Sequence, residues 1–200
     1  MVLMKKEKLK KLLTKVFLKY KLSKAHAKIC SDALVNAELV GATGHGVSRL
    51  KMYCDRINKK LINPKPKFKF KKISQSIMQI DADDSIGFVA ADIGIKKAIE
   101  SAKKTGFGLV GIKRSGHYGL SGYYAEQAVK KKFLTLIFTN APPAIAPHGA
   151  LKTLFGTNPI CFGTPTSSKV PFILDTSVSM INRGKIRVAA RTGSKLPEGV

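Results

Sequence analysis

The first third of the chain carries apolar residues at helical spacing, with lysines between them. Over residues 4 to 20 the apolar positions recur every three or four residues, so one helix face is apolar. A second helix is predicted after Ser23, whose hydroxyl can cap it. The apolar face of that helix consists of Cys30, Ala33, Leu34, Ala37 and Gly41. The glycines around His45 interrupt this pattern, and a third helix is predicted from Ser48 to Lys60.

Beyond residue 63 the pattern predicts strands alternating with helices. The predicted elements are strands at 68–73, 77–80, 109–112, 134–138 and 172–174, a helix from Phe88 that Gly106 closes, and a helix at 121–132. Residues 81–85 are predicted to form a turn. The strand at 109–112 is expected to be buried, and with the helix and strand that follow it forms a β-α-β unit. A stretch rich in proline and glycine, 140–165, is predicted to be irregular and functional.

The charge balance is strongly basic, with 36 Lys and Arg against 12 Asp and Glu and a net charge of +24. Such a balance favours nucleic acid or an anionic surface as a partner. Only 6 of the cations are Arg, whereas recognition of base edges and phosphates relies on the planar Arg fork. Residues 1–72 hold 20 of the cations, mostly on polar helix faces. We interpret the excess as a solvated surface, with a Lys-rich nucleic-acid or anionic-surface binding protein as the alternative.

Other bulk features exclude several classes of protein. No stretch of 18 apolar residues occurs, so no membrane span is predicted. Lys15 and Lys19 interrupt any signal-peptide core, which favours a cytoplasmic location. The three cysteines are far apart and odd in number, so neither a disulfide framework nor a zinc site is predicted.

Residues 106–111 match the dinucleotide fingerprint GxGxxG in form only. In that fingerprint the glycines follow a strand and open a helix, so that the helix N-terminus meets the pyrophosphate. Here the predicted helix comes first and the strand second. The match is therefore explained as a glycine that ends a helix, and a Rossmann fold is not predicted.

Three polar positions are candidates for chemistry. His45 lies between glycines four residues before Arg49, so the pair could bind a carboxylate and exchange a proton, although the spacing alone favours an exposed loop His and a solvated Arg. His117 follows a predicted strand between two glycines, where ligands bind in α/β sheets, or it caps a turn. Asp175 ends a strand next to hydroxyl residues and could hold a ribose, or it caps a helix.

Six segments together resemble one family. They are residues 44–50 (GHGVSRL), 115–119 (SGHYG), 146–149 (APHG), 156–160 (GTNPI), 175–179 with 183–186, and 196–199 (LPEG). In this order they resemble the type-2 malate/L-lactate dehydrogenase family, which includes ureidoglycolate and sulfolactate dehydrogenases and imine reductases. Many family members carry Ser, as part of a proton relay, where this chain has Gly44. Their chains also continue well past the last segment, so this chain is expected to be incomplete at its C-terminus.

The resemblance implies an NAD- or NADP-dependent oxidoreductase that acts on a small 2-hydroxy or 2-oxo acid as a homodimer, without nucleic acid or metal. The implied α/β fold has a non-Rossmann mixed-sheet cofactor domain (73–200, partial) after a helical region (1–72). His45 and His117 would be catalytic, and Arg49, Arg183 and Gly184 would bind substrate. The implied cofactor-binding residues are His117, Tyr118, Asn140, Ala141, Asp175, Thr176 and Ser177. An inactive fragment of such an enzyme is the further alternative.

Overall fold

A computed structural model describes residues 3–179, 181, 186, 189–190 and 192–196 of the 200-residue chain. The helices are α1 (Lys6–Lys19), α2 (Lys24–Leu39), α3 (Leu50–Asn58), α4 (Gly87–Thr105) and α5 (Ser121–Val129), with short 3₁₀ turns at Thr43–His45 and Val47–Arg49. The strands are β1 (Lys69–Lys72), β2 (Ile77–Ser85), β3 (Leu109–Ser115), β4 (Thr135–Phe138), β5 (Ile160–Thr164) and β6 (Phe172–Thr176). This helical region followed by strands and helices confirms the predicted α/β class.

The N-terminal helices form the closed part of the hydrophobic core. Helix α1 buries Leu13 and Phe17 against α2, and α4 adds Phe88 and Val89 to the same cluster. The Ser23 hydroxyl accepts a hydrogen bond from the His26 N–H at 3.2 Å, which confirms the predicted cap of α2. Helix α3 begins two residues later than predicted, because 3₁₀ turns occupy the preceding segment.

The first sheet is mixed and has the order β1-β2-β3. Strand β1 runs antiparallel to β2, and β2 runs parallel to β3, so α4 is the crossover helix. The prediction of a turn at residues 81–85 is wrong, because β2 continues to Ser85 through an irregularity in its pairing with β3. The acidic residues that suggested a turn instead bind Arg114 of β3 and the segment around Asn63.

The second sheet is antiparallel, with the order β4-β5-β6. The predicted β-α-β unit of β3, α5 and β4 is therefore wrong, because β4 pairs with β5, far along the chain, and not with β3. Strand β5 also lies inside the segment that was predicted to be irregular. Helix α5 covers one face of this sheet, where Gly163 of β5 approaches Val129 and Ala125.

The other face of the second sheet is apolar and uncovered in the part of the chain that the structure describes. We call it the open sheet face, and its exposed residues are Leu136, Phe138, Ile160, Phe172 and Leu174. In the first sheet some apolar side chains of β3 are also partly exposed. Strand β3 was predicted to be buried, but Leu109 is 51% exposed and Ile112 is 37% exposed. The prediction is wrong because β3 is an edge strand that α4 covers on one face.

The glycine at 106 ends a helix, as predicted, and the glycine at 108 allows close packing. Gly106 ends α4 in the left-handed conformation, with φ at 78°. A Cβ atom on Gly108 would overlap the Ala98 carbonyl oxygen of α4, so glycine lets the chain pass close to the helix. All three cysteines are free and buried. Among the described residues no helix has the length and apolar character to cross a membrane.

Candidate functional site

The loop that carries His45 is fixed by the last turn of α2. The Glu38 carboxylate accepts a hydrogen bond from the Val47 N–H at 2.7 Å, and its atoms lie against Gly46. A Cβ atom at Gly46 would overlap that carboxylate, so a larger residue there would displace the end of the Glu38 side chain from its present position. The Ser48 hydroxyl donates to the Thr43 carbonyl oxygen at 2.7 Å. These contacts hold His45 and Arg49 on two consecutive tight turns.

His45 and His117 lie side by side, although 72 residues separate them. Their ring centroids are 5.8 Å apart and the ring planes differ by 11°, which is a stacked arrangement. Arg49 donates from Nε to the Gly44 carbonyl oxygen at 2.7 Å. Its guanidinium forms no ion pair with any carboxylate in the described part of the chain. The structure therefore brings two imidazoles and an unpaired guanidinium to one place.

The hydrogen bonds of His117 fix its tautomer. Its Nδ1 atom lies 2.7 Å from the Tyr53 hydroxyl and accepts the Gly119 N–H at 3.3 Å. Because a backbone N–H can only donate, Nδ1 is unprotonated and the Tyr53 hydroxyl also donates to it. Burial raises the pKa of Tyr53, which keeps that hydroxyl protonated. The neutral His117 ring consequently carries its proton on Nε2.

Both histidines of the stacked pair are held neutral near pH 7. Burial is the main cause that lowers the pKa of His117 to about 4, and the positive charges of Arg49, Arg56 and a protonated His45 contribute to the same shift. Burial also lowers the pKa of His45, helped by Arg49 and opposed by the Asp175 carboxylate. A neutral His45 can accept a proton from an acid or alcohol bound beside it.

The turn that carries His117 lies against the first residue of α4. A Cβ atom on Gly87 would overlap the Gly116 carbonyl oxygen and the His117 carbonyl group. The Gly116 N–H also donates to the Ser85 carbonyl oxygen at 3.2 Å, which joins the ends of β2 and β3. The glycine at position 87 thus lets the turn approach the helix closely.

Asp175 faces the same region from the second sheet. Its Oδ2 atom accepts the Gly122 N–H at 2.8 Å, so the carboxylate caps the start of α5. The alternative interpretation of Asp175 as a helix cap therefore describes one of its contacts. Its negative charge also raises the pKa of His45 and of Tyr118, which places it within electrostatic range of both.

The remaining predicted cofactor residues are exposed or partly exposed, and all of them except Thr176, the last residue of β6, lie in loops. The Tyr118 hydroxyl lies 2.9 Å from the Ser121 hydroxyl, and the Ser177 hydroxyl lies 3.1 Å from that of Ser179. The Ala141 N–H donates to the Asn158 side-chain oxygen at 2.9 Å. The side chains of Asn140 and Thr176 are exposed. Arg183 and Gly184 lie outside the described residues.

Two residues of the site were not predicted from the sequence. Tyr53 binds the ring nitrogen of His117, and Glu38 fixes the loop of His45. The spacing of Tyr53, four residues after Arg49, is a signal that could have identified it, because such residues share one face of a helix. Glu38 gives no comparable signal, since its role depends on how the loop folds back onto α2.

Comparison with known proteins agrees with the resemblance in the motifs. A model of the malate/L-lactate dehydrogenase family matches residues 4–200. A malate dehydrogenase of Pyrococcus abyssi is 42% identical over 173 residues, which are 86% of this chain and 48% of that protein. The malate dehydrogenase structure from Pyrococcus horikoshii is 38% identical, with a TM-score of 0.89 over 93% of this chain and 53% of its own.

A third relative is likewise matched over only part of its length. The sulfolactate dehydrogenase structure from Methanocaldococcus jannaschii is 37% identical, with a TM-score of 0.92. The match covers 99% of this chain and 57% of that chain. The chain therefore spans about half the length of the relatives it matches.

Proposed function

The chain belongs to the malate/L-lactate dehydrogenase family, and on that premise we propose that it provides the substrate site of an NAD(P)-dependent oxidoreductase. The reaction is the reversible oxidation of a small 2-hydroxy acid to a 2-oxo acid. Relatives named for malate and for sulfolactate suggest a substrate that carries a second anionic group. The observation that carries the proposal is the stacked pair His45 and His117 beside the unpaired Arg49.

Each side chain has a separate role in the proposed reaction. Arg49 binds the substrate carboxylate, because a guanidinium can make two parallel hydrogen bonds to it. His45 takes the hydroxyl proton during oxidation and returns it during reduction. His117 is held neutral by burial and presents its Nε2–H as a hydrogen-bond donor to the substrate oxygen. Tyr53 keeps the ring of His117 in that orientation.

The residues also fit a nicotinamide dinucleotide. When bound, the nicotinamide supplies the hydride acceptor or donor for the reaction. Asp175 keeps Oδ1 without a hydrogen bond to any described residue, so that oxygen can accept from a ribose hydroxyl. Asn140, Ala141, Thr176, Ser177 and the turn at Tyr118 supply further polar groups. Relatives are named for NADP(+) and for NAD(+), so we propose one of these two cofactors, in a homodimeric enzyme.

The proposal is tested by assaying the chain, together with any longer product of the same reading frame, for NAD(P)H oxidation with 2-oxo acids. We expect His45→Ala to lower kcat by roughly 10²–10⁴-fold while NAD(P)H binding, followed by fluorescence, is retained. Arg49→Lys should mainly raise KM, since the bidentate geometry is lost. His26→Ala is the matched control, because His26 lies on α2 beside Phe68, away from the stacked pair.

The pH dependence of this assay separates the two histidines. Because His45 must be neutral to accept a proton, kcat/KM for the hydroxy acid should rise as pH increases through the lowered pKa of His45. Reduction of the oxo acid should show the opposite trend. Loss of this pH dependence in His117→Gln but not in His45→Gln would assign the proton to His117. Absence of both turnover and NAD(P)H binding in every product would refute the proposed function.

A further inference from the structure

The strands below the His117 turn contain three non-glycine residues in the left-handed region. Asp83, Asp84 and Arg114 have φ values of 51°, 55° and 51°. They lie where the regular pairing of β2 and β3 is interrupted, between Asp81 and Ser85. Side chains other than glycine rarely adopt this conformation, and it persists only when the surroundings hold it.

The surroundings that hold it are one guanidinium and three carboxylates, which we call the Arg114 cluster. Arg114 donates from Nε to Asp81 at 2.8 Å, from Nη1 to Asp84 at 3.2 Å and from Nη2 to Asp83 at 3.3 Å. A guanidinium can satisfy three carboxylates at once because its five N–H donors point outward in a fixed plane.

The cluster is also joined to the connection that precedes β1. Asp83 accepts hydrogen bonds from the Asn63 side-chain amide at 2.9 Å and from the Lys67 N–H at 3.0 Å. The Asn63 N–H donates to the Asp84 carbonyl oxygen at 2.9 Å. The irregular end of β2 is thus bound on both sides, by β3 and by residues 63–67.

This irregularity leads directly into the candidate site. Arg114 precedes His117 by three residues, and Ser115 is paired with the buried Ser85. From these contacts we propose that the Arg114 cluster positions the His117 turn against Gly87 and thereby sets the place and solvent exposure of the His117 ring. Arg114 is a positioning residue in this proposal, which rests on the proposed function only for its effect on turnover.

The cluster acts on His117 through the backbone. Among the described residues, the groups whose charges or hydrogen bonds reach the His117 ring are His45 and Arg49 on the 3₁₀ turns, Tyr53 and Arg56 on α3, and the Gly119 N–H of its own turn. No residue of the Arg114 cluster is among them. A change in the titration of His117 after substitution of Arg114 therefore reports a movement of the ring or of its solvent shell.

The experiment compares Arg114→Asn, Arg114→Lys and Lys113→Asn. Asparagine tolerates the left-handed backbone, so Arg114→Asn removes the guanidinium with little added backbone strain. Lys113 is the matched control, because it precedes Arg114 on the same strand and its nearest carboxylate oxygen, on Asp81, is 3.8 Å away. The ring protons of the four histidines are followed by NMR across pH, each assigned by its own substitution.

We expect the midpoint of His117 to rise by about one pH unit or more in Arg114→Asn, because water then reaches the ring. Arg114→Lys keeps a positive charge and should therefore raise the His117 midpoint by less than Arg114→Asn does. Lys113→Asn should leave the midpoint unchanged. In the enzyme assay Arg114→Asn should lower kcat more than it raises KM. Asp84→Asn, which removes one contact at a residue that tolerates asparagine, should give a smaller shift in the same direction.

The proposal is overturned if folded Arg114→Asn is less stable but leaves the His117 midpoint unchanged, since the cluster would then be structural only. If Arg114→Asn does not fold, an unchanged midpoint in Asp84→Asn and Arg114→Lys overturns it equally. The NMR readout does not require turnover. Failure of the proposed dehydrogenase activity is therefore distinguishable from failure of this proposal.

Discussion

The helical core and the second sheet are packed in different ways. In the helical core, α1, α2 and α4 enclose Phe17 and Phe88, which are fully buried. In the second sheet, α5 covers one face only, and Phe138 on the open sheet face remains 64% exposed. The described residues thus enclose the helical core completely, whereas they cover the second sheet on one face only.

The candidate site draws on both regions, and the difference separates its parts. His45 lies on a loop after α2, and His117 lies on a turn after β3 that packs against the start of α4, so both are held by helices of the closed region. Asp175 lies in β6 of the second sheet, and Ser177 lies directly after that strand. The geometry that would bind the substrate therefore rests on a complete core, and the groups proposed for the cofactor rest on the less enclosed layer.

The largest expected effect comes from matched truncations in the two regions. Phe17→Ala should lower the free energy of unfolding by about 3–5 kcal/mol, because it removes buried surface and leaves a cavity. Phe138→Ala should cost less than about 1 kcal/mol, because the ring is largely exposed. Urea unfolding followed by circular dichroism measures both. Equal losses would show that the open sheet face is covered in solution.

A second prediction concerns the effect of pH on the closed region. The pKa of His117 is about 4 in the folded state, below its value in the unfolded state. The contribution of the neutral His117 ring to the free energy of unfolding is therefore fully present above about pH 6.5 and is lost as the pH falls towards 4. Between pH 7 and 4.5 the native chain should lose about 2–3 kcal/mol more stability than His117→Gln. Unfolding curves of both proteins at the two pH values provide the measurement. Parallel losses would mean that the ring is solvated.

The smallest effect is expected at the contact between α5 and β6. Asp175→Ala removes the acceptor for the Gly122 N–H and should cost up to about 1 kcal/mol, since the contact is exposed. Asp55→Ala is the control: among the described residues the Asp55 carboxylate pairs with the exposed Lys51 alone, so this substitution should have almost no effect on stability. If Asp175→Ala lowered the free energy of unfolding as much as Phe17→Ala does, the contact of the second sheet with α5 would be as important for stability as the helical core.

Local signals predicted much of the helical structure. The apolar spacing and the Ser23 cap identified α1 and α2, and Gly106 marked the end of α4. The partners of the strands were not predictable in the same way. Nothing local to β4 indicates that its neighbour is β5, more than twenty residues later, and proximity in sequence suggested β3 instead.

The same distinction applies to the candidate site. Glycines beside His45 and His117 mark each loop as unusual, but the 5.8 Å stacking of the rings depends on the packing of α2, α3 and α4. The acidic run at 81–85 has the composition of a turn. It forms a strand end in which Arg114, about thirty residues later, pairs with its three carboxylates, and that partner lies outside any local window.

The open sheet face also has a consequence for how copies of the chain behave in solution. Exposed apolar side chains on different copies attract one another at short range, whereas the net charge of +24 makes copies repel at longer range. Salt shortens the reach of that repulsion, from about 30 Å at 0.01 M to about 8 Å at physiological ionic strength. The lysine surplus therefore acts as a colloidal barrier, and we expect the chain to stay dispersed at low salt and to associate as salt is added.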